Sequence, residues 1–324
     1  MQRRLAQSSR VVSGLFLALA ACLLAACMTL TRPPPLSASV AAVGVDPETS
    51  TLVIYRLEDE RTWISNPARA QERFTPASTS KIPHTLIALE TGAVSGPDEV
   101  FEWDGVKRFV DNWNETQDFA SAYKRSTVWI YQAVTPRIGS AVLHEWLAAF
   151  EYGNADTGAP GDVSQYWLSG PLATSAAEQV AFLAHLARRT LPLSARTYER
   201  AVPMMVSDSG PGWTLYGKTG WKSVAGETDI GWFVGWLEQT GGAAPGTYAF
   251  AFNMDMADPQ ADVPKRKAVV RRALSDIGAL PIRRPSGQMA RRVGQCRPVR
   301  PVSVHYPGFF RAILRAPSGP SANC

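Results

Sequence analysis

The chain has 324 residues, 45% hydrophobic and 19% charged, with a formal net charge of +5; its body, residues 46–281, suits one large domain or two interleaved lobes. The positive balance sits at the ends: residues 1–26 carry +3, and residues 282–324 hold eight arginines and no acidic residue. That leaves −6 for residues 27–281, so the basic balance belongs to the ends and is no argument for nucleic-acid binding by the body.

In chain order, Arg3, Arg4 and Arg10 precede an apolar run over residues 11–26. A positive stretch before a short apolar core predicts an export signal over residues 1–26, too short for a membrane span. The run ends Leu24-Ala25-Ala26-Cys27, which resembles the bacterial lipoprotein box. That resemblance makes Cys27 a candidate lipidated residue and implies a periplasmic protein attached to the outer membrane. The plainer alternative is ordinary cleavage near Ala26. Residues 27–45, with Pro33, Pro34 and Pro35, read as an extended tether.

Residues 46–281 read as the body. Residues 51–55 are an apolar strand, and residues 78–90 predict a helix despite Pro83. Residues 126–190 read as mainly helical, with breaks at Pro136, Gly139, 153–161 and Pro171. From residue 212 the pattern changes: residues 213–219, 230–237 and 247–254 are aromatic-rich apolar runs parted by glycines, hence antiparallel strands. Residues 265–277 close as a helix. The order predicts an α+β fold, an antiparallel sheet flanked by helices plus a helical lobe. The Pro/Arg-rich tail, residues 282–324, has the composition of a disordered segment. The four histidines (His84, His144, His185, His305) and four cysteines (Cys22, Cys27, Cys296, Cys324) show no metal-ligand spacing, so no metal site is expected. Cys296 and Cys324 remain a candidate disulfide in an oxidising compartment. No motif encodes an oligomeric state.

The chemistry starts at Ser78-Thr79-Ser80-Lys81. A lysine three residues after a serine shares its helical face, one turn away. Serine is a weak nucleophile until a neighbour takes its proton, so the pair predicts acyl chemistry at Ser78 with Lys81 as the base. An ordinary lysine is almost wholly protonated at pH 7; an apolar pocket, for which Val128, Tyr131, Trp167 and Leu168 are candidates, would lower its pKa. A serine at a helix start is also a common cap, and Lys218-Thr219-Gly220 alone has many chance occurrences.

Six short motifs stand in one order: Ser78-Thr79-Ser80-Lys81, Ser126-Thr127-Val128, Tyr152-Gly153-Asn154, Tyr166-Trp167-Leu168-Ser169-Gly170, Lys218-Thr219-Gly220 and Trp232-Phe233-Val234-Gly235-Trp236. The series resembles the class D, oxacillinase-type serine β-lactamases, over residues 50–279 or so. The resemblance implies a penicillin-binding/β-lactamase-like fold and β-lactam substrates. By that resemblance Ser78 is the acylated nucleophile, and Lys81 takes up CO₂ or bicarbonate as a carbamate held by the Trp167 indole; no other cofactor is implied. Ser126 relays a proton to the leaving nitrogen, and Val128 completes the family's Ser-x-Val. Lys218, Thr219 and Arg266 receive the substrate carboxylate, Gly220 lets the strand approach the ligand, and the backbone N–H groups of Ser78 and Trp221 form the oxyanion hole. Asn154 reads as structural and Trp232 to Trp236 as core. Thr127-Val128 departs from class A, which has Asp-Asn there. Ser80 departs from class D, which usually has phenylalanine; its hydroxyl would make the lysine pocket wetter or smaller. A penicillin-binding or β-lactam-sensing domain that acylates without turnover is the nearest alternative. A non-enzymatic envelope lipoprotein is the more distant one.

Overall fold

The computed structural model describes residues 35–281 apart from Ala243. The signal, Cys27, the first part of the tether, the 282–324 tail and the Cys296–Cys324 pair lie outside the described residues.

The tether reading fails within what is described. Helix α1 spans Leu36–Ala41, and Leu36 and Val40 are buried with Val45 in the same core as the last helix. Apolar residues at 36 and 40 share one helical face, and burying them overrides the flexibility that the prolines suggested. The folded body therefore begins before residue 46.

The sheet is antiparallel and six-stranded, in the order β2-β1-β8-β7-β6-β5. Its strands are β1 (Ser50–Arg56), β2 (Thr62–Ile64), β5 (Val206–Gly210), β6 (Trp213–Lys222), β7 (Asp229–Gln239) and β8 (Gly246–Met256). Strands β3 (Val100–Phe101) and β4 (Gln117–Asp118) pair apart from it. The aromatic-rich runs form the central strands, as expected. The two edge strands, β2 and β5, were not evident in the sequence: one is three residues long and the other polar.

One face of the sheet meets α1 and α9 (Lys265–Asp276). The other meets the helical lobe: α2 (Lys81–Glu90), α3 (Phe119–Arg125), α4 (Val128–Ile138), α5 (Ser140–Ala149), α6 (Ala176–Arg188) and α7 (Ala195–Met204). The short α8 (Pro259–Asp262) precedes α9. A full capping box, Ser175 with Glu178, starts α6 and satisfies two otherwise orphaned backbone donors. The break expected at Gly139 is made, its φ of 87° ending α4, but the one expected at Pro136 is not, since Pro136 stays inside the last turn of the helix. Pro83 is tolerated because it stands in the first turn of α2, where backbone N–H groups have no helical partner anyway.

Helix α2 decides the site. Every residue from Lys81 to Leu89 is buried, so it is a central helix apolar nearly all round. Its first residue is a lysine.

Candidate active site

The chain enters α2 through a 3₁₀ turn, Ala77–Ser80. Ala77 has φ 47°, a region that a non-glycine residue occupies at some cost and that clusters at functional sites. Its carbonyl accepts from Ser80 Oγ at 2.6 Å. The Ser80 side chain is wholly buried, so its hydroxyl is committed to the backbone turn. Ser78, on the same turn, stays half-buried and reachable.

Lys81 Nζ lies 3.0 Å from Ser78 Oγ, one turn away as the spacing predicts. The lysine is fully buried, and burial pushes its pKa down to about 7. Its ammonium sits 5.0 Å from the centre of the Tyr131 ring. Trp167, on the loop after α5, is also fully buried, and its Nε1 has no hydrogen-bond partner. A buried indole N–H left unmatched is costly and marks a place for an acceptor. Asn154 positions this loop: its Nδ2 donates to Pro171 O at 2.8 Å, and its Oδ1 accepts from Ala173 N at 3.0 Å. That is the structural role expected of Asn154.

Across the cleft, α3 ends at Ser126 with φ 62° and ψ 32°. This left-handed turn brings Ser126 Oγ within 2.8 Å of Lys218 Nζ, which donates to it and also to Thr219 O at 3.1 Å. Val128 opens α4 beside it, half-buried. Lys218 is buried too, and its pKa falls well below the usual lysine value, first by burial and then by repulsion from Lys81, Arg266 and Lys267.

Strand β6 joins the two halves. Strand β5 covers it only from Trp213 to Tyr216; Gly217 N then donates to Met205 O. Backbone groups alternate sides along a strand, so Thr219 and Trp221 turn theirs to the edge that β5 leaves uncovered. Gly220 lies against the nucleophile turn: a Cβ there would stand 2.8 Å from Pro76 O and 3.0 Å from Thr79 Cγ2. Only glycine lets the strand come this close. Trp232, fully buried, donates from Nε1 to Thr75 O at 3.1 Å and braces the same turn from β7, a core role as expected.

The transpeptidase domain family of penicillin binding proteins matches residues 40–275. The chain is 40% identical to beta-lactamase OXA-2 of Salmonella typhimurium over 226 residues, 70% of this chain and 78% of that protein. The class D β-lactamase YbXI from Nostoc superposes with a TM-score of 0.71 at 36% identity, covering 76% of this chain and 99% of that one. FUS-1 (OXA-85), a class D enzyme from Fusobacterium nucleatum subsp. polymorphum, gives 0.67 at 36% identity, covering 71% and 93%. The chain belongs to the class D β-lactamase family.

Within this class D fold the expected residues fall into one cleft with one difference of role. Arg266 is buried, and its guanidinium donates from Nη1 to Gly220 O at 2.5 Å and from Nε to Val263 O at 3.0 Å. It therefore holds the β6 backbone as well as adding charge. Burial lowers its pKa to about 10. Trp221 is 43% exposed, its indole donating to Asp229 Oδ2 at 2.8 Å. Two features escaped the sequence reading. His84 is buried at 2.5 Å from Tyr166 OH through Nε2, with its ring centre 4.8 Å from that of Trp167. Burial first, and Lys81 second, push its pKa down to about 3, so it is a neutral member of the lysine's cage. Its place one turn after Lys81 was the available signal. The second feature is the pair Lys124 and Lys267, which line a cavity beside Lys218 and Thr219. Among the described residues no cluster of three or more His, Cys, Asp or Glu is arranged to hold a metal.

Proposed function

We propose that the chain hydrolyses β-lactam antibiotics through an acyl-enzyme on Ser78. The observation that carries this reading is Lys81: wholly buried, with a pKa of about 7, and 3.0 Å from Ser78 Oγ. About half of such a lysine is neutral at pH 7, against roughly one in 2,500 for an ordinary one. Ser78 Oγ attacks the lactam carbonyl, its proton passing to the base at Lys81. The C–N bond of the ring breaks, and the leaving nitrogen takes a proton through Ser126 Oγ, which Lys218 orients. The backbone N–H groups of Ser78 and Trp221 receive the developing oxyanion, and the substrate carboxylate meets Lys218, Thr219 and Arg266.

The residues also fit a carbamate on Lys81. The amine is available in its neutral form, and the unpartnered Trp167 Nε1 supplies a donor in the same buried cage. When present, the carbamate supplies the general base for acylation and deacylation. This favours turnover over a penicillin-binding domain that stays acylated.

The test is hydrolysis of a chromogenic β-lactam with and without bicarbonate, followed by intact mass of the protein. Many turnovers, stimulated by bicarbonate and abolished in Ser78→Ala, support the reading. A stoichiometric burst that leaves a stable adduct overturns it. We further propose export through residues 1–26 and lipidation of Cys27, supported by the basic-then-apolar run ending in Leu-Ala-Ala-Cys. Cys27→Ala should move the protein from the membrane fraction to the soluble periplasmic fraction; an unchanged distribution would exclude the anchor.

A further inference from the structure

Four cations converge at one end of the cleft. Lys218 and Arg266 are buried, whereas Lys267 on α9 and Lys124 on α3 stand exposed at the rim. Of the twelve ion pairs among the described residues, none involves any of the four. Neighbouring cations are matched: Lys265 pairs with Asp262, Arg272 with Asp276, and Arg271 with Asp208, which follows Ser207 in β5. The polar contact of the Lys267 ammonium is a 3.4 Å approach to Ser207 Oγ. Lys218 and Arg266 are withdrawn from water without a counter-charge, which is costly, and the two exposed lysines add like charge beside them. One ring carboxylate neutralises only one of the four.

The space is there for another anion. A cavity of about 300 Å³ is lined by Tyr123, Lys124, Ser207, Lys218, Thr219 and Lys267 among others. Along β6 it lies at Gly217 to Thr219, whereas the nucleophile turn packs at Gly220. The cavity therefore adjoins Lys218 and Thr219, the residues read above as receiving the ring carboxylate, on the side away from the nucleophile turn.

We propose that the cavity is a second anion subsite, in which Lys124 and Lys267 select cephalosporin-type β-lactams carrying a further negative group on the C3 substituent, beside the ring carboxylate. The inference rests on the β-lactam reading above. It gives Lys124 and Lys267 a role in specificity, without a part in bond making or breaking.

The experiment compares two cephalosporins that differ only in the C3 substituent, sulfonate-bearing against neutral. The second-order rate of Ser78 acylation is measured for the full chain and for Lys124→Met, Lys267→Met and Lys267→Arg. This rate is readable whether the acyl-enzyme turns over or stalls, so failure of the hydrolase reading does not obscure the result. The unsubstituted chain should prefer the sulfonate. That preference should fall about five- to tenfold in each Met variant, persist in Lys267→Arg, and shrink with added salt. An unchanged preference, or equal losses on both compounds, would overturn the subsite. Absence of any Ser78 acylation would sink both readings together.

Discussion

Two buried lysines face each other across the cleft, each within hydrogen-bond reach of a serine hydroxyl: Lys81 with Ser78 at 3.0 Å and Lys218 with Ser126 at 2.8 Å. Their surroundings differ. Lys81 opens a helix buried on all sides, and loss of water alone lowers its pKa. Lys218 stands on a strand beside an open edge, where three other cations repel it in addition to burial. A lysine whose pKa is lowered by desolvation can shed its proton and act as a base. One crowded by other cations is relieved most by an arriving anion. On the proposed mechanism one residue type serves two purposes, set by what lies around it.

The sharpest way to break this comparison is to remove each lysine. Lys81→Met is expected to lower kcat by a factor of about 10³ or more, with no rescue by bicarbonate. It should also stabilise the fold. The folded pKa of Lys81 lies below its unfolded value, so the folded chain binds fewer protons between about 7 and 10.5, and native stability rises with pH across that window. At pH 7 the variant should gain about 2–4 kcal/mol in denaturant unfolding; equal or lower stability would contradict the desolvation account. Lys218→Met is expected to cost about 100-fold in kcat/KM, mostly in KM, with partial recovery in Lys218→Arg. A loss confined to kcat would make Lys218 a proton carrier and erase the contrast.

The pH profile sharpens the same point with a smaller effect. Below about pH 7 Lys81 gains its proton, so log kcat/KM should fall with unit slope, about tenfold per pH unit. An acid limb centred near pH 4 would instead implicate a carboxylate. Smallest of all, Ser80→Ala removes the 2.6 Å bond to Ala77 O. It should cost about 1 kcal/mol in thermal unfolding and leave the acid limb where it is.

The central strands were legible because three aromatic-rich runs each exceed what a helix surface needs, and they proved to be β6, β7 and β8. The Ser78–Lys81 pair was legible because helical spacing fixes a three-residue neighbour. Helix α1 was not: three prolines dominate its approach, and its partner, α9, lies more than 220 residues away. His84 was hidden for a related reason, since its ring contact is with Trp167, on a distant loop. The excess of charge beside Lys218 was obscured by the body's net negative charge, because Lys124 and Lys267 come from helices far apart in sequence. Pairs along one helix can be read locally; contacts closed by the fold cannot.

Helix α1 also bears on how the body tolerates being cut. Ser39 Oγ donates to Asp276 Oδ2 at 2.7 Å, at the far end of α9 from Arg266, and Leu36 and Val40 complete the apolar layer on that face of the sheet. Proteolysis just before residue 46 would strip this cover and leave part of the back core wet. A cut upstream of Leu36 would leave the body with its insulation intact.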